Sequence, residues 1–167
     1  MTPAPVAALA AAPAHSVVPV AVLIVDDQRA VREGLARLIA CAPLAIGSIG
    51  TAATGAEALT LAATLLPDVV VLDVDLAGED GLALIGRFGP RAAVLVLTCH
   101  GDATTRDRAA RLGASAFLEK HQPAAELLGV IARIAARTGG EEPPGPAGES
   151  NRNAGVQSSG ARQATRP

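Results

Sequence analysis

Val69-Val70-Val71-Leu72 is an unbroken apolar run, three of its four residues β-branched, that stops abruptly at Asp73. A strand that is apolar at every position is buried on both faces, the condition of a central strand in a helix-covered parallel sheet. The run passes into Asp73-Val74-Asp75-Leu76-Ala77-Gly78-Glu79-Asp80-Gly81, an acidic loop bounded by glycine. Open α/β sheets bind their ligands in the crevice outside the carboxyl ends of the strands. Asp73 stands at that position, and the rest of the chain is read around it.

Three other apolar runs end in the same way. Val20–Val25 stops at Asp26-Asp27, Ala93–Leu97 stops at Thr98-Cys99-His100, and Ser115–Leu118 stops at Glu119-Lys120. Leu44–Ala52, interrupted by Gly47 and Gly50, reads as a weaker strand suited to a sheet edge. Amphipathic segments lie between the runs. Val31, Leu35, Leu38 and Ile39 recur at helical spacing, with Arg29, Arg32, Glu33 and Arg37 on the other side. Thr54-Gly55-Ala56-Glu57 opens a second helix with a capping-box pattern. Leu82, Leu84 and Ile85 mark a short third helix, and Leu127, Leu128, Ile131 and Ile134 a fifth. The fourth, Asp102–Leu112, has little beyond alanine to bury, so weak anchoring is expected. Its arginines read as a solvated face or a partner-binding one. Strict alternation of five strands with five helices over residues 20–138 predicts one doubly wound α/β domain with a parallel sheet covered on both faces.

The ends of the chain have a different composition. The first 25 residues contain no Lys, Arg, Asp or Glu, but four prolines and the lack of a basic segment argue against a signal peptide or membrane helix. Residues 1–19 read as a disordered Ala/Pro leader, and residues 139–167, rich in Pro, Gly, Ser and Arg, as a disordered tail. A net charge of −2 and only two aromatic residues provide neither general attraction to nucleic acid nor bases' stacking partners. Cys41 and Cys99 fit no metal-binding spacing and are read as small buried thiols, consistent with a cytoplasmic chain.

Because the strands are parallel, Asp26, Asp27, Asp73, Thr98 and Lys120 converge on one edge of the sheet. Three neighbouring carboxylates need raised pKa values or a cation, and hard oxygen ligands in an open, watered site suit Mg²⁺. The carbonyl of Asp75 can supply a further oxygen. Lys120 is the only lysine among fourteen basic residues, and a compact ammonium pairs with a phosphate oxygen as a point charge. A carboxylate acceptor, a metal, a lysine and the Thr98 hydroxyl around one point make a phosphoryl-transfer site.

This ordered set, with the Gly78-Glu79-Asp80-Gly81 loop, resembles the receiver domain of bacterial two-component response regulators over about residues 20–138. The strings VDDQRAVREGL, LDVDLAGEDGLALI, VLVLTCH and LGASAFLEK are most similar to receivers of the helix-turn-helix (LuxR-type output) subfamily. The resemblance implies a flavodoxin-like strand order 2-1-3-4-5. It implies that Asp73 is the phospho-acceptor and that Asp27 binds Mg²⁺ directly, Asp26 mainly through water, and Asp75 through its backbone carbonyl. It further implies that Thr98 is a switch that moves toward the phosphoryl group, that Lys120 pairs with a phosphoryl oxygen, and that Phe117 is the rotameric switch aromatic. Ala77 replaces a proline common in the family, which is expected to loosen the loop. His121 stands where many members have a proline after the lysine.

The expected function is therefore that of a stand-alone receiver rather than an enzyme, taking part in its own phosphorylation and dephosphorylation. Its partner is a sensor histidine kinase or phosphotransfer protein, and its output an unidentified downstream protein, without direct DNA binding or membrane attachment. Homodimer formation is left open. Two alternatives are a truncated transcriptional regulator and a receiver that acts by docking alone. The Asp73-x-Asp75 pair is also similar to the haloacid-dehalogenase phosphohydrolase motif. That family, however, requires the motif on its first strand and the acidic pair downstream, whereas here the pair lies upstream.

Overall fold

The computed structural model describes residues 18–138. Six-residue β1 (Val20–Val25) leads to α1 (Arg29–Ala40), β2 (Ile46–Ala52), α2 (Gly55–Leu65) and β3 (Val69–Leu72). A short pair, β4 (Asp75–Leu76) and β5 (Glu79–Asp80), precedes a 3-10 helix over Gly81–Arg87. The chain then runs through β6 (Ala93–Thr98), α3 (Ala103–Arg111), β7 (Ala116–Glu119) and α4 (Ala124–Thr138). The main sheet is parallel throughout, in the order β2-β1-β3-β6-β7. Counting only its own strands, this is the expected order 2-1-3-4-5. The leader, apart from Val18 and Pro19, and the tail lie outside the described residues.

Side chains alternate across the sheet and divide the core in two. Val22, Ile24, Val69, Val71, Leu95 and Leu97 pack with Ile39 of α1 and Leu127, Val130 and Ile131 of α4. Leu23, Val25, Val70, Leu72, Val94 and Val96 point the other way, onto Ala58 and Ala62 of α2, Leu82 and Ile85, and Ala109 of α3. All four residues of β3 are buried, as a doubly covered central strand requires. Thr54 caps α2, accepting from the Glu57 amide at 3.2 Å, while the Glu57 carboxylate reaches back to the Ala53 amide at 2.8 Å.

Three local expectations are corrected. The third helix is 3-10, since a seven-residue segment holding Gly81 and Gly86 has little propensity for regular α-helix. The acidic loop is a hairpin. Ala77 and Gly78 form its two-residue turn with φ of +55° and +89°, the backbone of a type I′ turn. Proline cannot adopt that φ, so Ala77 accompanies a tight turn rather than a loosened one. Cys41 and Cys99 are both exposed: Cys41 is the C-cap of α1, past its last buried residue, and Cys99 follows the end of β6. Of the three α3 arginines, all exposed as a solvated face would be, two also make contacts within the domain. Arg106 lies over the Phe117 ring, 4.7 Å from its centroid, and Arg108 pairs with Asp80.

Candidate functional site

The carboxyl ends of β1, β3 and β6 form an open cleft of about 270 Å³, lined by Asp27, Gln28, Asp73, Asp75, Thr98, Cys99 and His100. Asp26, Asp27 and Asp73 each bring a carboxylate oxygen to within 4.8 Å of the others. Asp26 and Asp73 are buried, whereas Asp27 is not. Lys120 sits beneath the trio, its Nζ 2.6 Å from Asp26 Oδ2 and 2.6 Å from Asp73 Oδ2. The end of β7 is anchored beside β6 by the Lys120 amide, which donates to the Thr98 carbonyl at 2.7 Å.

The electrostatics follow from burial and this one ammonium. Burial raises the Asp73 pKa, the Lys120 hydrogen bond and charge oppose the rise, and neighbouring Asp26 adds to it. At Lys120 burial works downward, but the hydrogen bonds and charges of Asp26 and Asp73 outweigh it and the pKa is raised. The two directions are compatible: one ammonium shared by two carboxylates is held firmly, while each carboxylate receives only part of its charge. A divalent ion on the cleft side would supply what is missing. The three carboxylates fit such an ion, being hard oxygen donors around a centre open to water.

The remaining expected residues are nearby. Thr98 is buried, and its Oγ1 accepts from the His100 amide at 3.3 Å and donates to the His100 carbonyl at 3.4 Å. The hydroxyl thus sits in its own turn and makes no bond to Asp73. Asp75 lines the cleft from β4, with its carboxylate accepting from the Gly78 amide at 3.0 Å, so its side chain is committed to the hairpin. Phe117 is partly buried against the core beneath Arg106. His100 lines the cleft, and His121 faces Glu119 at 3.2 Å.

Sequence reading passed over the roles of three residues, two at the site and one at the far end of β3. Gly81 brings the returning hairpin against β3. A Cβ there would lie 2.0 Å from the Asp73 carbonyl oxygen, and the Gly81 amide donates to the Val74 carbonyl at 2.8 Å. Its only signal was a glycine closing an acidic loop. Asp68, buried at the opposite end of β3, accepts from the Ala21 amide and from Arg91, pinning the strand starts. Arg32, assigned to the outer face of α1, turns back onto the β1–α1 connection. Its spacing marked only the helix side.

The family described as "Response regulator receiver domain" matches residues 22–132. Response regulator MprA of Mycobacterium sp. (strain KMS) is 37% identical over 129 residues, covering 75% of this chain and 55% of that protein. Transcriptional regulatory protein LnrK of Bacillus subtilis is 34% identical over 116 residues, covering 68% and 52%. The chain thus spans about half the length of these relatives. Among solved structures, a response regulator from Burkholderia pseudomallei with a phosphorylated aspartic acid, calcium ion and citrate has a TM-score of 0.61 at 28% identity, covering 70% of this chain and 69% of that one. A LuxR-family two-component response regulator from Aurantimonas sp. reaches 0.63 at 31% identity, covering 72% and 87%. A family match that spans well over half of the sequence, on a sheet of this order with acidic residues and a lysine at its carboxyl edge, makes the chain a member of the response regulator receiver family.

Proposed function

We propose that Asp73 is the phospho-acceptor of a Mg²⁺-dependent receiver that takes its phosphoryl group from the phosphohistidine of a sensor histidine kinase or phosphotransfer protein. The observation that carries this reading is Lys120 Nζ at 2.6 Å from Asp73 Oδ2, beside three carboxylates whose oxygens lie within 4.8 Å of one another. An Asp73 oxygen bonds to phosphorus as the phosphorus–nitrogen bond breaks, and the imidazole leaves with the electron pair. Asp26, Asp27, Asp73 and the Asp75 carbonyl would hold the ion, which would neutralise charge on the phosphoryl oxygens. Lys120 pairs with a phosphoryl oxygen, and Thr98 leaves the His100 carbonyl to donate to another. That movement alters the surface of α3, β7 and α4 through Phe117. Weak anchoring of α3, whose one buried residue is Ala109, suits an element that must shift.

The greater length of the relatives favours a second reading of the output, in which the signal passes to a further segment of a longer regulator rather than to a separate protein. The chemistry at Asp73 is the same in both. A cytoplasmic location belongs to this reading, and among the described residues no helix is long and apolar enough to cross a membrane. The test is modification by a small acyl phosphate such as acetyl phosphate, followed by mass spectrometry. Mg²⁺-dependent addition of one phosphoryl group is expected, and none in Asp73→Asn. Unchanged labelling of that variant would overturn the assignment.

A further inference from the structure

Asp27 differs from the other members of the acidic trio in having nothing to hold its side chain. The Asp26 carboxylate accepts from the Gln28 amide at 2.8 Å and meets Lys120, and the Asp73 carboxylate accepts from the Val74 amide at 2.7 Å and meets Lys120. Among the described residues the Asp27 carboxylate makes no hydrogen bond or ion pair. With no partner of its own, its direction starts from the backbone that carries it, and besides the bond from the Gln28 amide to Asp26 a single further side chain holds that backbone. Arg32 Nη1 donates to the Asp26 carbonyl at 2.6 Å and to the Asp27 carbonyl at 2.9 Å. These carbonyls belong to the two peptide planes that flank the Asp27 Cα. Fixing both planes fixes φ and ψ of Asp27, and with them the direction of its Cβ.

The other arginines of α1 do something else. Arg29 and Arg37 both meet Glu33 on the solvent side, at 2.7 and 3.7 Å. Arg32 enters no carboxylate ion pair among the described residues, and its own amide donates to the Gln28 carbonyl at 3.1 Å. It therefore closes the β1–α1 turn from both its backbone and its side chain.

We propose that Arg32 is the positioning residue of the divalent-cation site, aiming the Asp27 carboxylate by clamping the carbonyls of Asp26 and Asp27. This rests on the assignment of a metal to the acidic trio. A guanidinium near a cation site has two opposed effects. As a like charge it weakens cation binding, so removing it should tighten binding. As a clamp it preorganises a ligand, and loss of such outer partners costs on the order of ten- to a hundredfold in metal affinity. The sign of the change separates the two, and a merely structural role would move unfolding but not affinity.

The experiment is a Mg²⁺ titration of the isotope-labelled chain, followed by amide chemical shifts, on wild type, Arg32→Met, Arg32→Gln, Arg32→Lys and Asp27→Asn. Met removes both donor and charge, Gln stops two bonds short of the carbonyls, and Lys can still reach them. Weakening by about tenfold or more is expected for Met and Gln, with most of the affinity kept in Lys. The amide spectrum reports directly which variants are folded, and Gln decides the matter if Met is not. Wild-type or tighter affinity in a folded Met or Gln variant overturns the role of Arg32 while leaving the metal site intact. Absence of saturable binding in wild type, or unaltered binding in Asp27→Asn, overturns the metal assignment itself and the proposal with it.

Discussion

Lys120 shares one ammonium between the two buried carboxylates of the site, Asp26 and Asp73. Removing it by Lys120→Met leaves Asp26 and Asp73 facing each other without a cation, and breaking a buried pair from one side costs about 3–5 kcal/mol. Near neutral pH the variant should lose stability of that order in urea titrations, and an unchanged midpoint would refute the account. The pH dependence follows from the directions of the shifts. Lys120 has a folded pKa above its usual 10.5, so its contribution is complete below pH 10.5 and disappears as pH rises through the raised value. The gap between wild type and variant should therefore narrow on the alkaline side. Asp73 is also raised, from 3.8, chiefly by burial. Its proton-linked stabilisation is present below that pH and is lost as the carboxyl ionises. A nucleophile that is costly to ionise is kept available by the lysine beside it.

At the scale of elements, the hairpin and α3 are tied to each other beside the site. Asp80 caps the 3-10 helix, accepting from the Leu82 amide at 3.2 Å, and also receives Arg108 from α3. Arg106 covers Phe117 and approaches Glu119 at 3.6 Å. With Ala109 as its one buried residue, α3 is secured largely by side chains that can let go without opening the core. The hairpin is tighter, but it includes Ala77 at φ +55°, a conformation costing an L-residue roughly 1 kcal/mol or more. Asparagine tolerates this region and leads the favoured Asn-Gly type I′ turn. Ala77→Asn should raise stability by about 0.5–1 kcal/mol in thermal unfolding. A fall would mean that the turn is not of this type.

For the whole molecule, the consequence of a parallel sheet is that binding and folding are coupled at one edge. The trio comes from β1 and β3, so a cation bound there is bound only by the assembled sheet. Mg²⁺ at about a hundred times its dissociation constant should add about 2.7 kcal/mol to the folded state. Calorimetry should then show a transition several degrees higher with Mg²⁺ in wild type and no such rise in Asp27→Asn. A Mg²⁺-independent transition in wild type would count against the site.

The sequence by itself determined the class of fold and which polar residues stand at the strand ends. Unbroken apolar runs such as Val69–Leu72 are compatible with burial on both faces and little else, and parallel strands carry their terminal polar residues to one edge. What it could not reach were properties set by contacts distant along the chain. Asp73 and Lys120 are 47 residues apart, and only the β3–β6–β7 pairing sets their separation. The close approach of Gly81 to the Asp73 carbonyl, the hairpin within the acidic loop and the exposure of Cys99 depend on how the chain turns after a strand, where periodicity carries no signal. Arg32 is the clearest case. Helical spacing put it on the polar side of α1, but a long flexible side chain can reach past its own face, and only the tertiary structure decided that it ends on the carbonyls behind the acidic pair.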